Sequence, residues 1–239
     1  MTNNLPTKAK VMIGMVAVAS LCPLSFGVIN WHMPAWPQLA LLMSAAVLSS
    51  RLKVKLPGMT STMSGNLPVV LLGVTQLGLL GSLLVAATAA VAQSYGSGKK
   101  ATPVQFIFNI CTLMNACGLA YLAYHSRLFT AHVGGSAVSL VMAAAAYFLA
   151  NTAPVASIIG LTEGNRPFAL WHKVFLWSFP NYVIGAGLTA IVSFVTTISG
   201  LAALMVALFA VHKSYKMYVG RTEQAQPTQP RAFAMVAGR

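Results

Sequence analysis

Acidic residues are almost missing from this chain: there is no aspartate, and the only glutamates in 239 residues are Glu163 and Glu223. Most hydrolytic and group-transfer mechanisms need a carboxylate pair, a carboxylate-held metal or a base oriented by a carboxylate, so the shortage argues against an enzyme. It argues equally against proton-coupled transport, because neither acid falls within an apolar span. Cysteine is scarce as well. Cys22, Cys111 and Cys117 are odd in number, lie in apolar stretches and form no C-x-x-C or Cys/His pattern, which predicts buried free thiols. The histidines, His32, His125, His132, His172 and His212, are scattered, mostly at span ends, and predict no metal site. No P-loop, H-E-x-x-H or G-x-S-x-G motif occurs. The run Gly96-Ser97-Gly98-Lys99-Lys100-Ala101 matches a dinucleotide fingerprint in form only, since it follows an apolar segment and no acid lies about 20 positions on. It reads as a surface loop, and no cofactor is expected.

What the chain has in abundance is apolar sequence. Hydrophobic residues make up 57% and charged residues only 7%, against about 25% charged in a soluble domain. The apolar blocks are long and their polar gaps short, so the sequence predicts an all-α polytopic integral membrane helix bundle. The net charge of +13 comes from Lys and Arg clusters beside apolar spans. Anionic lipid headgroups are therefore the expected partners, and nucleic acid is not.

The first apolar run, about 11–28, has the outline of a secretory or lipoprotein signal ending at Cys22. Leu21 before that cysteine and Pro23 after it do not suit cleavage, and the run continues beyond, so a first membrane helix is expected. Further spans are predicted at about 37–50, 104–124, 136–159, 175–195 and 201–212, with Trp31 and Trp36 in an interfacial belt. Residues 67–94 pose a separate problem. As one helix, 28 residues would run about 42 Å and overshoot a hydrocarbon core of about 30 Å. Gly78 and Gly81 bracket the middle, and Thr75 and Gln76 stand beside it, which suits two short half-helices that dip in and return, with one long tilted helix as the alternative.

Charge selects the return. With the N-terminus inside, Lys8, Lys10, Arg51, Lys53 and Lys55 fall inside; a returning 67–94 segment keeps Lys99, Lys100, Arg166, Lys173 and the basic C-terminus inside too, leaving Arg127 outside. The expected organisation is a cytoplasmic N-terminus (1–10), an integral membrane domain (11–221) with about six spanning helices plus a broken helical hairpin, and a disordered cytoplasmic tail (222–239). The location expected is a bacterial inner membrane, with both termini cytoplasmic.

Polar residues inside spans are the candidate ligand contacts, because an amide in hydrocarbon must face a partner helix or a cavity. They are Gln76, Asn109, Asn115, Asn151 and Asn181, with Gln93 as a further member of the set. Asn109 and Asn115 are six apart, about 600° of helical rotation, and so belong to opposed faces. Helix-to-helix hydrogen bonding is the alternative role for each. Glu163, close to Arg166, reads as a solvated loop carboxylate paired with a neighbour, and FALWHKVFLWSFPNY as an interfacial anchor leading into a helix kinked at Pro180.

SSRLKVKLPGMTSTMSGNLPVVLLGVTQLGLLG (49–81), together with LWSFPNYVIGAGLTAIVS and SYKMYVGR, resembles the N-terminal multi-span membrane region of bacterial HD-GYP and GGDEF cyclic-di-GMP signalling proteins. The likeness covers roughly 49–221. In that family the last helix continues into a catalytic domain, whereas here TEQAQPTQPRAFAMVAGR follows Arg221. The resemblance therefore implies a non-enzymatic sensory or anchoring module, with a cytoplasmic signalling protein in trans and a small-molecule ligand as partners. A fainter similarity, carried by GNLPVVLLGVTQLGLLG, is to the substrate-binding membrane subunits of energy-coupling-factor transporters, which imply a small-molecule pocket between helices.

Overall fold

The computed structural model describes residues 5–31, 35–51, 53–55, 62–95, 102–127 and 135–194. Apolar runs become helices because a helix satisfies its backbone within the one segment, without water or a partner strand. In order they are α1 (Thr7–Ile29), α2 (Trp36–Ser49), α3 (Leu67–Gln76), α4 (Leu79–Tyr95), α5 (Pro103–Tyr124), α6 (Gly135–Glu163), α7 (Pro167–Leu170) and α8 (Phe179–Phe194). Three of them, α1, α5 and α6, are long and apolar enough to cross a membrane; α2, α3, α4 and α8 are shorter apolar helices. The chain is a helical membrane protein. The expected span at 201–212, the extension to Arg221 and the tail lie outside the described residues, as do the Gly96–Ala101 loop, His32, His132 and His212.

The helix starts follow local chemistry. Thr102 caps α5 in a full capping box, its hydroxyl taking the Gln105 N–H while the Gln105 amide oxygen takes the Thr102 N–H, and Pro103 fills the first helical position. Gly164, at φ +74°, provides the left-handed residue after α6. Between α7 and α8 the chain stays helical through a wide π turn (Trp171–Phe175) and a tight 3-10 turn (Leu176–Ser178). Pro180 has no N–H to donate, so the irregular turns fall just before it and it occupies the first turn of α8. The segment expected as a loop before residue 175 is thus helical from Pro167. Its aromatic rings explain why: Phe148 of α6 packs edge-on against Phe179 and Tyr182, and Trp171 donates its indole N–H to Thr152 at 2.9 Å.

One small antiparallel pairing joins α2 to α3. Strand β1 (Lys53–Lys55) faces β2 (Thr62–Ser64) with Lys53 opposite Ser64, Val54 opposite Met63 and Lys55 opposite Thr62.

The core forms around α3. Every residue from Leu67 to Val74 is buried, on all faces of the helix. A helix apolar all round has no solvent face and must be enclosed; α3 packs against α2, α4, α5 and α8. Close approaches permit this enclosure. A Cβ at Gly185 of α8 would come within 2.6 Å of Leu67, and one at Gly118 of α5 within 2.6 Å of the Pro23 ring of α1. By contrast α1 shows most of its surface outward, including Val11, Met15, Val18 and Leu21, as a lipid-facing helix does.

Candidate functional site

The 67–94 stretch is broken where the sequence placed its weak point. α3 ends at Gln76, Leu77 is extended (φ −112°, ψ 159°), and α4 starts at Leu79. A helix end leaves carbonyls without backbone partners, and here side chains meet them. The Leu77 N–H closes the last turn on the Gly73 carbonyl at 2.8 Å, the Ser82 hydroxyl stands within hydrogen-bond reach of that carbonyl at 2.9 Å and of the Gly78 carbonyl at 3.0 Å with one hydrogen to give, and Thr75 donates back to Leu72. From α5, His125 Nε2 lies 3.2 Å from the Val74 carbonyl, a contact satisfied by the tautomer protonated at Nε2. Tyr121, one turn earlier, has its ring centroid 4.1 Å from that of His125 with the planes tilted by 42°, and its hydroxyl lies near the backbone of Leu79. From α2, Gln38 Nε2 donates to Gln76 Oε1 at 2.7 Å.

Four elements therefore converge on one junction: α2 brings Gln38, α3 Gln76, α4 its first backbone group, and α5 Tyr121 and His125. Gln38, Gln76 and Tyr121 are half-buried, while Gly78 and His125 are exposed. Two amides, an imidazole and a phenol supply donors and acceptors without fixed charge. Such a set offers hydrogen bonds and no ionic contact. Among the described residues no group of three His, Cys, Asp or Glu side chains could hold a metal.

The other expected contacts divide differently. Asn115 donates to the Val16 carbonyl of α1 at 2.9 Å, and Asn151 donates to the Tyr182 hydroxyl of α8 at 3.0 Å, so both join helices rather than line the junction. Asn109 is half-buried on α5 and joins neither group, and Asn181 is exposed. Glu163 accepts from Asn165 Nδ2 at 3.3 Å, so its near neighbour is this amide and not Arg166. Of the thiols only Cys117 is buried; Cys111 is intermediate and Cys22 exposed on α1, against the expectation of three buried thiols.

A second polar knot sits at the opposite end of α3. Asn66, Ser49 and Ser50 are all buried: Ser49 donates to Asn66 Oδ1 at 2.9 Å, Asn66 Nδ2 to Ser50 Oγ at 3.2 Å, and Ser50 reaches the Ala89 carbonyl of α4 at 3.3 Å. Thr189 of α8 donates to the Pro68 carbonyl at 3.3 Å. Sequence reasoning missed Gln38, Tyr121, His125 and Asn66. Gln38 and Asn66 stand directly before apolar runs, a signal that marks polar residues at helix starts but does not pair them.

Fold and junction together define the class: a helical membrane protein whose central short helix is held by polar contacts at both ends. No protein-family model matches the chain, and no curated protein or solved structure does either.

Proposed function

We propose that this chain is a non-enzymatic sensory or anchoring module of a bacterial signalling system, multi-pass in the inner membrane with both termini cytoplasmic. Six helices span the bilayer and the α3–α4 pair is a hairpin that re-enters it. A small polar ligand binds where α3 and α4 meet, and a cytoplasmic signalling protein in trans receives the response. The observation that carries this reading is the junction itself: a half-helix buried from Leu67 to Val74 and ending in the half-buried Gln76, with Gln38, Tyr121 and His125 near its broken end. Broken helices at membrane depth are where polar backbone and side chains become available to a ligand. A ligand that prefers one arrangement of Gln76 and His125 over another shifts α3, and that differential affinity is the whole driving force.

The shortage of carboxylates supports the non-enzymatic part, and the resemblance of 49–221 to cyclic-di-GMP signalling membrane regions supports the signalling part. A second reading, a small-molecule-binding subunit of an energy-coupling-factor-like transporter, is supported by the similarity of GNLPVVLLGVTQLGLLG; Ala143 and Ala144 of the small-residue run on α6 are buried within the bundle itself. The experiment is a crosslinked pull-down of the tagged chain from its native membrane, with wild type and Gln76→Leu in parallel. Recovery of a cyclic-dinucleotide signalling protein, in an amount that Gln76→Leu changes, is the expected result. An ATP-binding-cassette module in its place moves the chain to the transporter class, and recovery of neither sinks both readings.

A further inference from the structure

Two helix ends meet at one imidazole. His125 closes α5, its own N–H bonded to the Tyr121 carbonyl at 3.0 Å, and its Nε2 stands 3.2 Å from the Val74 carbonyl in the last turn of α3. The carbonyls at a helix C-terminus carry partial negative charge, so His125 sits against two such poles, that of α5 and that of α3. Two phenol rings of α5 lie beside it, the Tyr121 centroid at 4.1 Å and the Tyr124 centroid at 5.1 Å. Both distances fall inside the roughly 6 Å within which an aromatic ring attracts a cation. The side chain is exposed, so protons reach it.

The surrounding elements add little charge. At this junction α2 brings Gln38, α3 Gln76, and α4 Leu79 and Ser82, none of them charged. α1 approaches α4 through Gly27, with the exposed Cys22 more than a turn before it and Lys8 and Lys10 in the first turns of that helix. On α6 the carboxylate of Glu163 is at the last residue, about 43 Å along the helix from Gly135. The cation nearest in sequence is Arg127, two residues on and exposed.

Histidine is the side chain whose charge ordinarily changes between about pH 5 and pH 8. In the neutral ring only the tautomer with its hydrogen on Nε2 donates to Val74; the other turns a lone pair toward the carbonyl oxygen. The imidazolium carries hydrogen on both nitrogens and always donates, in a bond roughly twice as strong because the donor is charged. We propose that His125 is an acid-operated clamp on the broken helix: protonated, it holds the end of α3 seated against α5, and deprotonated, it lets the α3–α4 break loosen. The seated arrangement binds the proton more tightly than the loosened one, so acid shifts the population toward it and rising pH releases it. The clamp needs this contact and no ligand, so it stands apart from the function proposed for the junction.

The test is hydrogen exchange of the full chain in phosphatidylcholine nanodiscs with no ligand added, at about pH 5.5 and about pH 7.5, corrected for the intrinsic pH dependence of exchange. The readout is the turn in which the Leu77 N–H closes on the Gly73 carbonyl. Wild type exchanges there about fivefold more slowly at the lower pH. His125→Gln keeps a neutral donor that cannot titrate, and its protection is the same at both pH values; unchanged protection of the α6 core certifies its fold, and His125→Asn replaces it should it fail to fold. Equal protection of wild type at both pH values overturns the clamp whatever the variants do. A pH dependence that survives in the folded variant belongs to another group and overturns it equally.

Discussion

Asn115 and Asn151 are both amides in apolar helices, yet the cost of losing each differs because their partners differ. The Val16 carbonyl that Asn115 reaches already lies within α1, so Asn115→Leu removes only an added bond, worth about 0.6 kcal/mol in a membrane bundle. Tyr182 is buried, and Asn151→Leu leaves its hydroxyl without this donor, at about 1–3 kcal/mol. Asn181→Leu, on an exposed position, is expected to be neutral. Thermal unfolding of the three variants in one detergent checks the order. Residue type was legible in the sequence: an amide in a span must be bonded, and these are. Which neighbour it would choose was not, because Asn115 and Val16 are 99 residues apart and nothing local couples them. The junction shows the same limit. Gln76 was singled out from its place beside two glycines, but its partner Gln38 lies 38 residues away on another helix.

At the scale of elements, the break between α3 and α4 was legible from length, Gly78 and Gly81 and the distribution of charge taken together, since a single helix of that length would have had to tilt. The helical run from Pro167 was not. Its Gly164 and Pro167 read as loop signals and Pro180 as a kink inside a span, whereas the two prolines occupy first helical turns and only Gly164 lies outside a helix. Helix contact also sets which glycines tolerate change. A Cβ at Gly118 would stand 2.6 Å from Cβ of Pro23, a rigid ring that cannot swing aside, so Gly118→Ala is expected to destabilise by about 1–3 kcal/mol. At Gly14 in α1 and Gly187 in α8 nothing lies within 4 Å. Gly→Ala at those sites is expected to be neutral or to stabilise by up to about 1 kcal/mol, through the better helix propensity of alanine. Comparing melting temperatures of Gly118→Ala, Gly14→Ala and Gly187→Ala tests this directly.

For the whole molecule, composition sufficed to say membrane and helix, because 57% hydrophobic and 7% charged residues leave no soluble alternative. Orientation rests on the distribution of Lys and Arg, and it gives a prediction for intact cells. A membrane-impermeant amine or cysteine reagent, applied from outside, should miss Lys99 and a cysteine placed at Arg166 but reach a cysteine placed at Arg127. Labelling of the first two from outside would reverse the topology and with it the re-entrant α3–α4 pair.

The enclosure of α3 also sets a timetable. Ten residues, about 15 Å of helix, are too few to be recognised as a span on leaving the ribosome, yet their last wall, α8, is joined to them by Thr189 and Pro68 across 121 residues. At about 5–20 residues per second, translation delivers that wall some 6–24 s later. Until then a segment buried on all faces in the finished fold waits with one side open, an interval in which a chaperone can hold it and a protease can cut it. A chain ended at Arg166 should therefore be cleared rapidly from cells although all three long helices are present, and pulse-chase labelling of that truncation against the full chain would measure the difference.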